Sequence, residues 1–291
     1  MVEAETSSAD AADETVSAWD QPENAVAYAR FCAESDYYRS VSEALVKAAQ
    51  LSLGERVCDL GCGTGQTLSA IAGALGRGAC VVAVDPARAM LSYAQSSQRL
   101  PGVSFVLGTS RRLPSLRGAS GFDAVLCSSA AWLHPSRDEL LSDVFQSLSG
   151  RGRLALSIPS EFVGESSHLI EPTAQRFVTL LSSLRTELGI GQAAVTPSVE
   201  PSLRVRDAFS LHAWLDALSN AGFSRVEVSV HPFEMPVRDW AAHLAIPAVL
   251  SGLLPHASDD QRRQFVNQLS QRCDQDARAA RPWHLLVAWR V

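Results

Sequence analysis

Two acidic residues and a glycine-rich turn are the part of this chain best suited to bind a nucleotide-type molecule. Asp59 ends a short apolar run, and Gly61, Gly63 and Gly65 alternate through the residues that follow. Glycine has no Cβ and tolerates positive φ, so a ligand can lie directly against such a turn. A helix after the turn would point its free N–H groups at that ligand. The pattern predicts a strand, a ligand-binding turn and a helix over Thr64 to Leu75.

A second carboxylate follows at the spacing that such a site needs. Cys80 to Val84 is a β-branched run that predicts a strand, and Asp85 follows it, 20 residues after Gly65. A carboxylate at the end of that strand can accept hydrogen bonds from two ribose hydroxyls. The ligand is therefore expected to carry a ribose.

The spacing of the glycines separates two classes of cofactor. A dinucleotide fingerprint, G-x-G-x-x-G/A, needs a small third residue where helix and strand pack closely. Here Gln66 occupies that position and is too large, which makes a nicotinamide-dependent dehydrogenase the least favoured enzyme. The pattern Asp-x-Gly-x-Gly-x-Gly instead resembles motif I of the class I S-adenosylmethionine (SAM) dependent methyltransferases.

The resemblance covers residues 24–160 and resumes at 209–231 and 283–291. It includes Gly121 to Cys127, which is similar to the family's fourth strand, and Ala221-Gly222-Phe223 before the sixth. It implies an α/β fold: a doubly wound seven-stranded sheet, mostly parallel, with an antiparallel strand 7 between strands 5 and 6. We predict strands at 56–60, 80–84, 103–107, 122–127, 153–158, 225–230 and 285–290.

Two connections are longer than this fold needs and predict helical cap inserts over the cleft. The predicted organisation is a disordered acidic tail (1–20), N-terminal helices (21–55), the SAM-binding core (56–158), a cap insert (159–208), the core continued (209–231), a second cap insert (232–282) and the final strand (283–291). Caps of this kind usually enclose a small molecule and exclude water. The alternative is that one insert mediates dimerisation.

The resemblance also implies which residues hold SAM. Asp59, Gly61, Gly63 and Gly65 would bind its methionine part, and Asp85 its ribose. The remaining cofactor candidates are Pro86 and Met90 beside the adenine, Thr109 and Ser110 after strand 3, Ser128 after strand 4, and Tyr28 in the leading helices. Thr109 departs from the family, which often has an acidic residue there that binds the adenine amine.

Histidine and tryptophan side chains near the predicted rim are the candidates for substrate binding and catalysis. His134 could take a proton from a hydroxyl or amine, because its ordinary pKa lies near neutrality; alternatively, it caps the helix that follows. Trp132 lies beside it, and His168 and His243 belong to the cap inserts. Methyl transfer needs no dedicated catalytic side chain, so the sequence leaves open whether a general base is used.

Charge and composition exclude several other functions. The net charge of −6 is carried entirely by the first 20 residues, so the remainder of the chain is balanced. A balanced surface argues against nucleic acid, and no apolar run is long enough for a membrane helix. The six cysteines form no C-x-x-C pair, which argues against a zinc site, and we expect a cytoplasmic monomer or homodimer.

These observations favour a SAM-dependent methyltransferase that acts on an O, N or C nucleophile of a small molecule, with secondary metabolism as the setting that the large caps suggest. Two alternatives remain: a SAM-binding enzyme that catalyses a non-methylating cyclisation or rearrangement, and a scaffold protein with a degenerate SAM site. Thr109 is the hint of the latter, whereas the intact Asp59, glycines and Asp85 argue against it.

Overall fold

The computed structural model describes Val16 and residues 18–164, 171–190 and 210–291. Residues 1–15 and 17, which make up most of the predicted acidic tail, lie outside this range. The tail was predicted to extend to residue 20, but Ala18 to Asp20 belong to the fold. The Trp19 ring packs edge-on against Tyr28, with 5.7 Å between centroids, and Asp20 Oδ1 accepts a hydrogen bond from Ala89 N at 2.8 Å. An aromatic ring and a helix-capping carboxylate are the features that keep this end in place.

A seven-stranded sheet forms the centre of the molecule, in the order β3-β2-β1-β4-β5-β7-β6. Its strands are β1 (Arg56–Leu60), β2 (Cys80–Asp85), β3 (Val103–Leu107), β4 (Phe122–Ser128), β5 (Leu148–Pro159), β6 (Arg225–Pro236) and β7 (Arg278–Trp289). Strand β7 is antiparallel to both neighbours. The predicted fold class is therefore confirmed.

Strands β6 and β7 are longer than predicted and form a hairpin that projects beyond the sheet. Their pairing continues from Val230 opposite His284 to Pro236 opposite Arg278. Pairing of β7 with β5 stops at Trp283. Among the described strands, β6 alone pairs with the outer part of β7. The second insert therefore comprises residues 237–277 rather than 232–282.

Helices cover the sheet and build the caps. They are α1 (Pro22–Glu34), α2 (Tyr37–Ala49), α3 (Leu68–Leu75), α4 (Arg88–Ser97), α5 (Leu113–Leu116), α6 (Arg137–Ser147), α7 (Pro172–Glu187), α8 (Leu211–Ala221), α9 (Val237–Leu244), α10 (Pro247–Leu253) and α11 (Asp259–Arg272). Helix α3 begins at Leu68, not at Thr64, because residues 61–67 form the glycine turn. Within the described ranges, no helix is long and apolar enough to span a membrane.

The caps share one hydrophobic core with the N-terminal helices. Phe31 and Tyr38 of α1 and α2 pack in the same buried cluster as Phe177 of the first insert and Trp240 and Phe265 of the second. Phe177 and Trp240 meet edge-to-face at 5.4 Å between centroids. The inserts are thus joined to each other and to α1 and α2, at one end of the sheet.

Candidate active site

A cavity of about 420 Å³ opens at the carboxyl ends of β1, β2 and β4. The chain passes from β1 to β2 and β3 on one side and to β4 on the other, so a crevice forms where the strand order reverses. Ligands of open α/β sheets usually bind at such a crevice. Of the predicted site residues, those that line the cavity are Tyr28, Gly61, Gly63, Asp85, Pro86, Met90, Thr109, Ser110, Ser128, Trp132, His134 and His243.

The glycine turn after β1 is held against β2. The backbone nitrogens of Gly61 and Cys62 both donate to the carbonyl oxygen of Val84, at 2.8 and 3.1 Å. Gly61 and Gly63 have φ values of 72° and 53°. A Cβ on Gly61 would lie 2.7 Å from the Ala130 Cβ, whereas a Cβ on Gly63 would meet nothing within 4 Å. Gly61 is thus needed for packing, and Gly63 leaves room over the turn.

Gly65 does not line the cavity. A Cβ at this position would lie 2.8 Å from Cγ of Gln98, and its φ is 91°. The structure gives Gly65 a role in closing the turn, where its nitrogen donates to the Cys62 carbonyl at 2.8 Å. A direct contact of Gly65 with the methionine part of SAM, which the resemblance implied, therefore has no support in the described cavity.

Asp85 lies at the mouth of the turn and is oriented by two backbone amides. Its Oδ2 accepts from Gly63 N and its Oδ1 from Ala87 N, both at 2.8 Å. Burial raises its pKa to about 6, while these two amides oppose the rise. Each carboxylate oxygen has a further lone pair, so the two can accept the paired hydroxyls of a ribose.

Asp59 lies behind the turn, out of the cavity lining. The side chain is buried, and neither carboxylate oxygen has a hydrogen-bond partner in the described structure. Burial, reinforced by the nearby charge of Asp85, raises its pKa to about 7. Two buried carboxylates beside one cavity would disfavour a pyrophosphate and favour a cationic ligand.

A chain of hydroxyl groups closes the cavity beyond the turn. Ser42 Oγ of α2 lies 3.1 Å from Thr67 Oγ1 and 3.5 Å from Ser128 Oγ, and Ser128 Oγ lies 3.3 Å from Ser157 Oγ. Ser129 follows in the left-handed region, at φ 58°. Non-glycine residues in this conformation are uncommon and cluster at functional sites. The sequence analysis missed Ser42 and Thr67.

The opposite side of the cavity is formed by residues after β2 and β3. Pro86, Met90, Thr109 and Ser110 line it, and their place at the adenine stays a prediction. Ser110 is buried, and its hydroxyl donates to Asp143 Oδ2 at 2.7 Å. A carboxylate is thus hydrogen-bonded to Ser110, the residue after Thr109, where the family often has an acidic residue.

His134 lines the same side, with both ring nitrogens in hydrogen-bonding contacts. Nε2 lies 3.2 Å from Ser110 Oγ, and Nδ1 lies 2.6 Å from the carbonyl oxygen of Ser136 and 3.2 Å from its nitrogen. Ser136 is the N-cap of α6. Burial lowers the pKa of His134, and the Ser136 backbone opposes the shift. The catalytic role of His134 stays a prediction.

Aromatic residues form the end of the cavity beneath the caps. Trp132 stacks on Phe162 with ring centroids 5.1 Å apart, and Tyr28 and Tyr38 pack against each other at 5.6 Å. His243 of α9 is buried here, 3.1 Å from the hydroxyl of Tyr38. Tyr38 was not predicted, and His168 lies outside the described residues.

Comparisons with known proteins agree with this geometry. Residues 57–152 match the model of a methyltransferase domain family. The trans-aconitate 2-methyltransferase of Deinococcus radiodurans is 29% identical over 198 residues, which are 68% of this chain and 72% of the relative. Together these matches support a class I SAM-dependent methyltransferase.

Solved structures support the fold of this methyltransferase. The YcgJ protein of Bacillus subtilis aligns with a TM-score of 0.53 at 22% identity, over 86% of this chain and 97% of that one. The (4+2)-cyclase SpnF aligns with a TM-score of 0.52 at 15% identity, over 87% of this chain and 80% of that one. At these identities the similarity establishes the fold alone.

The residues present fit SAM, the cofactor of this family. When bound, SAM supplies an electrophilic methyl group on a sulfonium, and the protein supplies orientation and electrostatics. The unpartnered carboxylate of Asp59 and the raised pKa of Asp85 suit a ligand with positive charge. We propose that Asp85 holds the ribose and that the Gly61–Gly63 turn binds the methionine part, with the negative charge of Asp59 behind it. Met90, Thr109 and Ser110 would enclose the adenine.

Proposed function

We propose that this methyltransferase moves the methyl group of SAM to an oxygen, nitrogen or carbon nucleophile of a small-molecule acceptor. The observation that carries the proposal is the cavity of about 420 Å³ that extends from the glycine turn to the aromatic residues under the caps. Its volume is within the range of small-molecule sites. Caps over a site of this kind would limit the access of water to a reactive sulfonium.

The chain's own residues contribute mainly alignment. The glycine turn and Asp85 would fix one end of the cofactor. Tyr38 of α2, Trp132 after β4 and His243 of the second cap insert would hold the acceptor at the other. Holding two reactants in line can lower a barrier by several kcal/mol. The balanced charge outside the first 20 residues supports a small molecule over nucleic acid. A cytoplasmic monomer or homodimer in secondary metabolism is the setting that we propose.

Thermal unfolding with SAM, S-adenosylhomocysteine, NAD or NADP tests the cofactor. A ligand at a hundred times its Kd stabilises the native state by about 2.7 kcal/mol. For a chain of this size each kcal/mol raises the midpoint by roughly 2–4 °C. We expect a rise with SAM and S-adenosylhomocysteine alone; a rise with NAD or NADP alone would contradict the proposed site.

Product analysis then tests the reaction. The protein is incubated with SAM and panels of phenols, alcohols, amines and carboxylates, with RNA and protein as comparison acceptors. S-adenosylhomocysteine accumulates only if the methyl group leaves, so its absence beside a converted substrate would indicate a cyclisation or rearrangement instead. Methylation of RNA or protein alone would contradict a small-molecule acceptor.

A further inference from the structure

The two ends of the cavity differ in chemistry. The turn end presents backbone amides, Asp85 and the hydroxyls of Ser42 and Ser128. The cap end presents Tyr38, Trp132, His243 and Val249. A ligand that reaches both ends would therefore place a charged part at the turn and an apolar part under the caps.

Helix α2 connects the two ends. Tyr38 and Ser42 are four residues apart on it, so they lie on one face about 6 Å apart along the axis. Ser42 contacts Thr67 and Ser128 beside the turn, and Tyr38 contacts His243 of the second insert. The backbone position of Tyr38 thus lies one helical turn from that of Ser42, which contacts Ser128 beside the turn.

Tyr38 and His243 form a buried polar pair in apolar surroundings. The phenol oxygen lies 3.1 Å from Nε2 of His243, and the imidazole packs on Phe31 with centroids 5.2 Å apart. Burial, helped by the charge of Arg281, lowers the pKa of His243 to about 3, so the imidazole is neutral at pH 7. A phenol oxygen can take part in three hydrogen bonds, one as donor and two as acceptor. The contact with His243 is compatible with a further bond to a ligand.

The walls around this pair are aromatic. Trp132 is stacked on Phe162 and packs edge-to-face on Trp283, at 5.1 and 5.7 Å between centroids. Tyr38 meets Trp283 edge-on at 6.3 Å. Flat apolar groups pack well against such rings.

Among the described residues, the cavity lining has little positive charge with which to bind an anionic acceptor. Arg111 is the one cationic residue of the described lining. It lies next to Ser110, on the adenine side, and its guanidinium is paired with Glu139 at 2.8 Å. Arg281, whose charge acts on His243, lies outside the cavity lining and is ion-paired with Glu161. A carboxylate under the caps would therefore lose its hydration without gaining a cation among the described lining residues there.

We propose that Tyr38 and His243 form the acceptor site, which binds a neutral molecule with an aromatic or apolar body through its hydroxyl group. This inference rests on the proposed function, because an acceptor site presupposes methyl transfer at the turn end. It sets this chain apart from the trans-aconitate 2-methyltransferase to which it is similar, whose name specifies a carboxylate substrate.

A double-mutant cycle between ligand and protein tests it. Calorimetry on protein saturated with S-adenosylhomocysteine compares 2-naphthol, naphthalene and 2-naphthoate as probes. The variants are Tyr38→Phe and, as the matched control, Tyr37→Phe. The Tyr37 hydroxyl is also buried, accepts from Trp283 Nε1 at 2.7 Å, and belongs to a residue outside the cavity lining.

We expect 2-naphthol to bind about tenfold more tightly than naphthalene to the wild type and to Tyr37→Phe. In Tyr38→Phe this advantage should fall below about twofold, with the affinity for naphthalene unchanged. 2-Naphthoate should bind at least about tenfold more weakly than 2-naphthol, since its charge would be unpaired. His243→Phe, which removes the contact between the imidazole and the phenol, should also reduce the advantage of the hydroxyl.

Three results would overturn the inference: an undiminished hydroxyl advantage in Tyr38→Phe, tighter binding of 2-naphthoate, or no binding of 2-naphthol up to its solubility. The affinity for S-adenosylhomocysteine is measured first, because it distinguishes rejection of the acceptor site from rejection of the proposed function. If all variants bind S-adenosylhomocysteine equally well and one of these three results is still obtained, the acceptor site alone is rejected. No binding of S-adenosylhomocysteine to the wild type rejects the proposed function and the acceptor site with it.

Discussion

The amide nitrogen of Gly63 lies 2.8 Å from Oδ2 of Asp85, so the turn after β1 and the end of β2 hold each other in position. The same carboxylate accepts a second amide from Ala87 at the start of the next helix. The turn after β1, the end of β2 and the start of the next helix are thus held together by the buried carboxylate of Asp85. The proposed ribose site is preorganised, which lowers the cost of ordering it on binding.

Asp85→Asn should weaken SAM binding and leave the fold intact. The amide has one acceptor oxygen in place of two, so one of the bonds to Gly63 N, Ala87 N or a ribose hydroxyl is lost. A hydrogen bond to a charged group contributes about 1.5–3 kcal/mol, which corresponds to roughly 10- to 100-fold in Kd. Calorimetric titration with SAM measures the change. The control is Asp276→Asn, an exposed aspartate of the second insert, which should bind like the wild type.

Asp59→Asn should stabilise the protein without cofactor while it weakens SAM binding. The folded-state pKa of about 7 lies above the ordinary value of 3.8. The folded protein therefore binds this proton more tightly, and the associated stabilisation is complete below about pH 4 and lost as the pH rises through 7. At pH 8 the wild type carries a buried charge that asparagine lacks, so we expect a gain of about 1–3 kcal/mol in the free energy of unfolding. Urea unfolding at pH 8 and pH 4 is the measurement. An equal gain at both pH values would show that the charge is not the cause.

The affinity for SAM should fall as the solution becomes more acidic. A ligand with a sulfonium and an ammonium group favours the ionised forms of Asp59 and Asp85, whose pKa values are about 7 and 6. At a pH below these pKa values, SAM binds in this way only after the two carboxyl groups lose their protons. We expect Kd to rise at least about tenfold between pH 7.5 and 5.5. Calorimetry across this range measures it, and Asp59→Asn should show a smaller dependence; a flat profile in the wild type would contradict the assignment.

Much of the fold could be predicted from sequence, because the signals are local and ordered along the chain. The β-branched runs, the alternating glycines and Asp85 are each visible within a few residues. The extension of β6 and β7 was missed because Pro232, Pro236 and Pro282 discourage a strand. Proline is tolerated there because β6 is an edge strand and β7 has left β5 by Trp283.

The acceptor end of the cavity could not be predicted in the same way. Tyr38 and His243 are separated by 205 positions and meet because α9, which packs against α1, also reaches Tyr38 of α2. No short pattern marks that contact, since both residues also fit ordinary helix packing. His243 was a candidate because it lies in a cap insert. Its contact with Tyr38 could be seen only in the tertiary structure.

Substitutions of Gly61 and Gly63 should affect different properties: the first mainly stability, the second mainly SAM affinity. Gly61→Ala places a Cβ 2.7 Å from that of Ala130, whereas Gly63→Ala meets nothing within 4 Å. Both pay for a positive φ, which costs on the order of 1 kcal/mol. We expect Gly61→Ala to lose further stability through the clash, and Gly63→Ala to lose mainly SAM affinity because its methyl group projects into open space over the turn. Urea unfolding and calorimetry on both variants give the comparison, and equal binding of SAM by Gly63→Ala and the wild type would remove the turn from the site.

His134→Gln should distinguish a proton acceptor from a structural residue. A general base contributes about 100- to 10,000-fold to the rate, but here Nδ1 is 2.6 Å from the Ser136 carbonyl and Nε2 is 3.2 Å from Ser110 Oγ. These bonds tie the segment after β4 to the start of α6 and, through Ser110, to Asp143. We therefore expect a loss of about 1–2 kcal/mol in the free energy of unfolding and less than about a fivefold fall in kcat. Urea unfolding and the rate of S-adenosylhomocysteine formation measure the two effects. A hundredfold loss of kcat at unchanged stability, together with loss of an ionisation from the pH profile of kcat, would instead support His134 as the base.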